Sequence, residues 1–146
     1  MIGPETVAYV DSSVLLAVLL SQPRSLEAAR LWAAHRRVSS VLLAAECRTV
    51  LRRAARAGVL ADLAGAERDL DTSLAQLPLH VVDSAVLERL AATPQLGACR
   101  TLDALHLATA LTLRDRLGRG LVVATFDQGM AEVGRDLGLP VVGAAA

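Results

Sequence analysis

The sequence predicts an α/β fold in which helices pack on a parallel sheet. Short apolar runs alternate along the chain with longer helical patterns, which is the signature of consecutive βαβ units. Pro23, Gly58, Pro78, Gly118 and the Gly138–Pro140 pair fall between these segments as stops. Hydrophobic residues make up 53% of the chain and aromatic ones only 2%, so the core must be assembled from Leu, Val and Ala. The 146 residues are expected to form one domain, 1–146, with little room for a second.

The first strand is Val7 to Val10, an apolar run ending at Asp11. Ser12 to Leu20 reads as a helix, and Pro23 marks a break before a second helix from about Arg24 to Ala34. Arg37 to Ser39 is a very short second strand. A long helix follows from Val41 to Ala57, stopped by Gly58 in the position of a C-cap. Asp62 to Ala75 is a further helix, and Leu79 to Val82 is the next strand, introduced by Pro78. Asp83 to Ala92 is helical, and residues 93–97 form a loop containing Pro94 and Gly97. Thr101 to Leu117 is a strong helix ended by Gly118, and Leu121 to Ala124 is another apolar strand. The last units are a short helix from Gln128 to Leu137 and a strand at Val141 and Val142.

Composition excludes several chemistries. All fifteen basic residues are Arg, and the chain has no Lys. P-loop NTPases, phosphoacceptor receiver domains and haloacid-type phosphatases each depend on a Lys and cannot run here in their usual form. Formal net charge is zero, so any nucleic-acid contact must come from a local patch and not from a global basic field. Cys47 and Cys99 are too few for a disulfide framework or a structural zinc site and read as reduced core thiols. The N-terminus lacks a basic region before an apolar run, so no signal peptide is expected. The longest apolar run, Val14 to Leu20, is far short of the roughly 20 residues that cross a bilayer. A cytoplasmic protein without membrane contact is the expectation.

In an open parallel sheet, ligands bind beyond the carboxyl ends of the strands, where strand order reverses. Asp11 and Asp127 both fall just after strand-like runs. Asp103 lies in the first turn of its helix, and Glu46 sits within the long helix after the second strand. Taken singly, each aspartate also fits a helix cap or first-turn acid. Asp83 is the control: it too follows an apolar strand and opens a helix, and it reads as a cap and nothing more. Glu46 is harder to explain that way. It follows the apolar run Val41 to Ala45, and an acid buried there needs a metal or an arginine partner unless it reaches solvent.

The wording around these positions resembles the PIN-domain nucleases. Tyr9-Val10-Asp11-Ser12-Ser13 is similar to their opening motif, and Ser39-Ser40-Val41-Leu42-Leu43-Ala44-Ala45-Glu46 to the second. Arg100-Thr101-Leu102-Asp103-Ala104-Leu105-His106-Leu107-Ala108 resembles the third and is the most specific of the set. Ala124-Thr125-Phe126-Asp127-Gln128-Gly129-Met130 resembles the fourth. The four occur in the family's order, and the combination looks like a VapC-type toxin ribonuclease.

That resemblance implies a three-layer α/β/α sandwich with a central parallel sheet of four to five strands. It implies that Asp11, Glu46, Asp103 and Asp127 hold one or two Mg²⁺ or Mn²⁺ ions. Hard divalent cations prefer carboxylate oxygens, and a cation offsets the repulsion among four acids. Asp11 and Asp127, at strand ends, are the expected direct ligands. The expected activity is hydrolysis of accessible single-stranded RNA leaving a 5′-phosphate. A cognate antitoxin and a homodimer are the implied partners. The alternative is a catalytically silent scaffold of the same fold that binds RNA or protein.

The supporting residues are less specific. Ser12 and Thr125 offer hydroxyls to the site or to a phosphate, and local capping explains them equally well. Arg48, Arg52 and Arg56 form a stripe about 120° from Glu46 on its helix, whereas Arg53 shares the Glu46 face about 10 Å along the axis. Arg48, Arg52 and Arg53 are the candidate nucleic-acid contacts, set against a solvated helix face or a protein contact. His106, three residues after Asp103, reads as a packed, hydrogen-bonded core histidine, and His35 and His80 carry no site signal.

Overall fold

A computed structural model describes residues 6–34, 36–118 and 120–145; His35 lies outside them. The elements are β1 (Val7–Val10), α1 (Ser12–Leu19), α2 (Ser25–Ala34), β2 (Arg36–Ser40), α3 (Val41–Arg56) and α4 (Leu63–Leu74). They continue with β3 (Leu79–His80), α5 (Ser84–Ala91), α6 (Thr101–Leu117), β4 (Leu121–Thr125), α7 (Gln128–Asp136) and β5 (Val141–Gly143).

The strands form one parallel sheet in the order β3-β2-β1-β4-β5. The chain steps outward from β1 through β2 to β3, then returns to place β4 on the other side of β1. Strand order therefore reverses between β1 and β4, and a crevice is expected at their carboxyl ends. Register is set by pairs such as Tyr9 with Val123 and Val10 with Ala124.

Both central strands are buried along their whole length, which is why they read as unbroken apolar runs. Alternate residues of β1 serve opposite faces. Val7 and Tyr9 join a core with Leu107 and Leu111 of α6, Val86 of α5 and Met130 of α7. Ala8 and Val10 face Val14 and Ala17 of α1 and Ala28 of α2. A third cluster packs Leu15 and Leu16 of α1 against Leu43, Cys47 and Leu51 of α3 and Leu70 of α4. These are the three α/β/α layers, with five strands in the middle. Helix α6 is apolar nearly all round, with Leu107, Ala108, Ala110 and Leu111 buried in succession, because neighbours cover most of its circumference.

Most boundaries shift by about one residue, and two departures are larger. β3 stops at His80, since the Asp83 amide turns back to the Val81 carbonyl at 3.0 Å and takes Val82 off the sheet edge. Residues 94–98, expected as loop, form a 3₁₀ turn that Pro94 opens and buried Leu96 anchors. Both expected helix stops hold, with Gly58 at φ +76° and Gly118 at φ +59°, backbone values that favour glycine.

Leu70 is fully buried between α4 and α3. Leu70→Ala is expected to cost about 2–5 kcal/mol in urea unfolding, with the secondary structure retained.

Candidate active site

Asp11 ends β1 and is only 4% exposed. Its backbone N–H continues the ladder to the Ala124 carbonyl at 3.0 Å, which sets the carboxylate on the β1–β4 seam. Oδ2 accepts from the Thr125 hydroxyl at 2.9 Å, the Ser13 hydroxyl at 2.8 Å and the Ser13 amide at 3.4 Å. Three donors compensate a buried charge that would otherwise be costly. Oδ1 has no hydrogen-bond partner among the described residues.

Thr125, the last residue of β4, is a junction. Its buried hydroxyl donates to Asp11 and accepts from the Asp127 amide at 3.0 Å. Ser13 completes the network, with Oγ 3.3 Å from Thr125 Oγ1 and accepting from the Phe126 amide at 2.9 Å. Thr125 therefore sits where expected, but the serine that holds Asp11 is Ser13 and not Ser12. Cap geometry contained that signal: with Asp11 as N-cap, Ser13 is the second helical residue, whose amide a cap receives.

Asp127 caps α7, taking the Met130 amide on Oδ1 at 2.8 Å. Its Oδ2 lies 3.4 Å from a terminal nitrogen of Arg100, whose Nε donates to Asp103 Oδ2 at 3.3 Å. One guanidinium thus spans both carboxylates from a side chain that is 82% exposed. Burial, and then the charges of Asp11 and Asp127, push the Asp103 carboxyl above its ordinary range, with Arg100 opposing. The three aspartates share one cleft. Cys99 borders it, and its thiol is raised by burial and then by Asp103 and Asp127.

Glu46 approaches from α3. Its Oε1 hydrogen-bonds His106 Nε2, and the same imidazole places Nδ1 2.6 Å from the Tyr9 hydroxyl. His106 and Tyr9 are fully buried. The expected core histidine is found, bonded to one of the candidate acids. Burial, then the Asp11 charge, holds the Tyr9 phenol far above its ordinary range, so it remains an O–H donor. Beside Glu46, the Cys47 thiol is pushed up to about 12 by burial and then by Glu46 and Asp11. Both cysteines are free thiols, as expected.

In Asp11 and Glu46 one oxygen is held within the protein fabric while the other meets no partner among the described residues; Asp127 is held by the Met130 amide and Arg100, and Asp103 meets Arg100. An all-carboxylate donor set suits a hard divalent cation such as Mg²⁺ or Mn²⁺. Among the described residues, no three His, Cys, Asp or Glu side chains already surround one point in a way that would hold an ion. Arg100 supplies the compensating positive charge across Asp103 and Asp127.

Asp83 behaves as the control. It caps α5 through the Val86 amide at 3.0 Å and pairs with Arg116 in the last turn of α6. That is about 20 Å along the α6 axis from Asp103 in its first turn. The Val86 amide, then Arg116 and His80, hold its carboxyl below the ordinary range.

Two grooves meet at half-buried Ser12. One, of about 250 Å³, runs along α3 past Glu46, Thr49 and Arg53 with Leu102 opposite. The other is lined by Ser13, Gln22, Arg24 and Phe126. Of the three arginines expected at nucleic acid, only Arg53 lines a groove with an acid. Arg52 bonds Glu67 at 2.7 Å, and Arg48 pairs with Asp71 and Glu67, so both clamp α3 to α4. A pocket at the amino ends of the strands, between Val7, Arg36 and Leu117, has no acidic lining residue.

Residues 8–136 match the PIN domain family. The chain belongs to it. It is 38% identical to Ribonuclease VapC46 of Mycobacterium tuberculosis over 135 residues, covering 92% of this chain and 95% of the relative. Ribonuclease VapC49 of the same organism is 34% identical over 125 residues, covering 84% of this chain and 85% of the relative. A solved structure of VapBC2 from Rickettsia felis, bound to a DNA fragment from their promoter, overlays with a TM-score of 0.67 at 13% identity. That overlay covers 92% of this chain and 96% of the other, and supports the PIN fold. Among the described residues, no helix is long and apolar enough to cross a membrane.

The raised Asp103 carboxyl has a thermodynamic consequence. Ionising it costs the folded state stability, and that cost is absent below the unfolded carboxylate range and grows as pH rises through the folded value. Asp103→Asn is therefore expected to raise the Tm of chelator-treated protein at about pH 7 and to change it little near about pH 3. Thermal melts at the two pH values measure this; a Tm lowered at the higher pH contradicts it.

Proposed function

We propose that this PIN-domain protein is a toxin-type endoribonuclease that hydrolyses RNA phosphodiester bonds with Mg²⁺ or Mn²⁺ held by Asp11, Glu46, Asp103 and Asp127. The observation that supports this reading is the cleft shared by Asp11, Asp103 and Asp127 at the β1–β4 crevice, with Glu46 brought toward it from α3 through His106. Relatives bearing the name ribonuclease over nearly the whole chain support the substrate class.

Each residue has a distinct task. Asp11 presents a carboxylate held by the Thr125 and Ser13 hydroxyls, and Asp127 one held by the Met130 amide, its own amide tied to Thr125. Asp103 and Glu46 add negative charge from two helices. A bound divalent cation supplies activation of water, orientation of the scissile phosphate and stabilisation of the leaving oxygen. Arg53 lies in the groove with Glu46 and has no ion-pair partner among the described residues, so it is free to grip a backbone phosphate. A single strand fits these open grooves better than an RNA duplex, whose backbone is fixed in A-form geometry. A cognate antitoxin that covers the acidic cleft and a homodimeric assembly complete the proposal; the Rickettsia felis neighbour is itself a VapBC assembly.

The test is cleavage of single-stranded RNA with and without metal. Activity is expected in Mn²⁺ or Mg²⁺, with loss in chelator and recovery on adding metal back. Asp11→Asn is expected to lower kcat by roughly a hundred-fold or more, matching the several kcal/mol a metal contributes. Undiminished cleavage in chelator overturns metal dependence, and RNA that binds but stays intact at saturating Mn²⁺ favours the silent binding module.

Arg53→Ala is expected to raise KM for RNA several-fold with kcat near wild type, the pattern for loss of a uniform binding contact. Arg52→Ala should leave KM unchanged, because its partner is Glu67. Steady-state kinetics on one RNA separates the two.

A further inference from the structure

Glu46 differs from the three aspartates in how it is held. Asp11 and Asp127 are fixed by backbone amides at helix starts, but Glu46 lies inside α3, where every nearby amide is committed to the helix. What fixes it comes from across the sheet. Helix α3 belongs to the layer of α1 and α4, and α6 to the opposite layer. The contact between Glu46 Oε1 and His106 Nε2 is therefore a bridge over the carboxyl edge of the sheet.

Proton assignment along the bridge follows from inventory. An ionised carboxylate only accepts, so Nε2 carries the proton facing Glu46. The Tyr9 hydroxyl lies 2.6 Å from Nδ1 and, as an O–H, donates to it. The order is Tyr9 O–H to His106 Nδ1, then His106 Nε2–H to Glu46. Exposure rises along it, from nothing at Tyr9 and His106 to 18% for the Glu46 side chain, which brings only the acid to the cleft. Tyr9 lies two residues before Asp11 on one stretch of chain, and His106 one helical turn after Asp103.

We infer that His106 is a positioning residue that aims Glu46 into the carboxylate cleft, and that Tyr9 fixes the ring orientation and tautomer of His106. This rests on the reading of Glu46 as a metal ligand. The relay makes the fourth acid dependent on the two elements that deliver Asp11 and Asp103, so all three arrive in register. Hydrogen-bonded partners behind a metal ligand typically account for ten- to a hundred-fold in metal affinity.

The experiment measures Mn²⁺ affinity of the full chain by calorimetry, alongside thermal melts and RNA kinetics. His106→Leu keeps the core volume but removes both bonds, and is expected to bind Mn²⁺ roughly ten- to a hundred-fold more weakly, with kcat reduced and KM for RNA near wild type. His106→Gln, whose amide N–H can reach Glu46, is expected to recover most of the loss, which a purely structural role would not give. His106→Leu protein that is folded and binds Mn²⁺ as tightly as wild type overturns the inference. If that variant does not fold, Tyr9→Phe decides: weakened Mn²⁺ binding supports the relay and unchanged affinity overturns it. Failure of the underlying reading looks different, because wild type then takes up no Mn²⁺, or Glu46→Gln binds it undiminished, and the inference falls with it.

Discussion

A carboxylate that is 4% exposed governs this structure. Asp11 cannot remain charged at the sheet edge without donors, and the donors come from the end of β4 and the start of α1. The same Thr125 hydroxyl that donates to Asp11 accepts the Asp127 amide, so one small network fixes the ends of β1 and β4 and the starts of α1 and α7. Backbone order at the switch point and charge placement in the cleft are consequently one problem. Removing the hydroxyl would leave a buried acceptor short of a donor and release the α7 entry in a single step.

Capping and function prove compatible in the same side chain. Asp127 accepts the Met130 amide on Oδ1 and through Oδ2 shares Arg100 with Asp103, while Asp83 caps α5 just as well but turns its second oxygen to Arg116 and His80. What distinguishes a site acid from a cap is therefore the company of the second oxygen, a tertiary property. A strand followed by aspartate specifies a local turn into a helix and leaves that company undetermined.

This explains which features were legible in the sequence. The central strands could be read because burial on both faces forces an unbroken apolar run, and the helix ends at Gly58 and Gly118 because the backbone there needs positive φ. The three-layer fold and the four acids were legible through motif wording that matches a family, not from periodicity. Ser13 was passed over for Ser12 because the choice depends on which helical residue faces the cap. Arg48 and Arg52 read from sequence as candidate contacts because their partners, Glu67 and Asp71, lie on another helix that only the packed fold brings beside α3. β3 was read two residues too long because Val81 and Val82 have strand propensity that the sheet edge does not use.

A net charge of zero gains its meaning from how the arginines are spent. Arg48, Arg52, Arg89 and Arg116 all face acids on neighbouring helices, where exposed ion pairs contribute little stability but cancel charge locally. Two further arginines lie near the crevice. Arg100 straddles Asp103 and Asp127, and Arg53 shares a groove with Glu46. A polyanion entering the cleft meets these two guanidinium groups beside the carboxylates. That arrangement resolves the tension between an acidic centre and an anionic substrate. Asp11 and Asp103 sit at the floor, 4% and 18% exposed, and Arg100 stands at the rim, 82% exposed. Burial at the floor raises the Asp103 carboxyl, so ionising it costs the folded state stability.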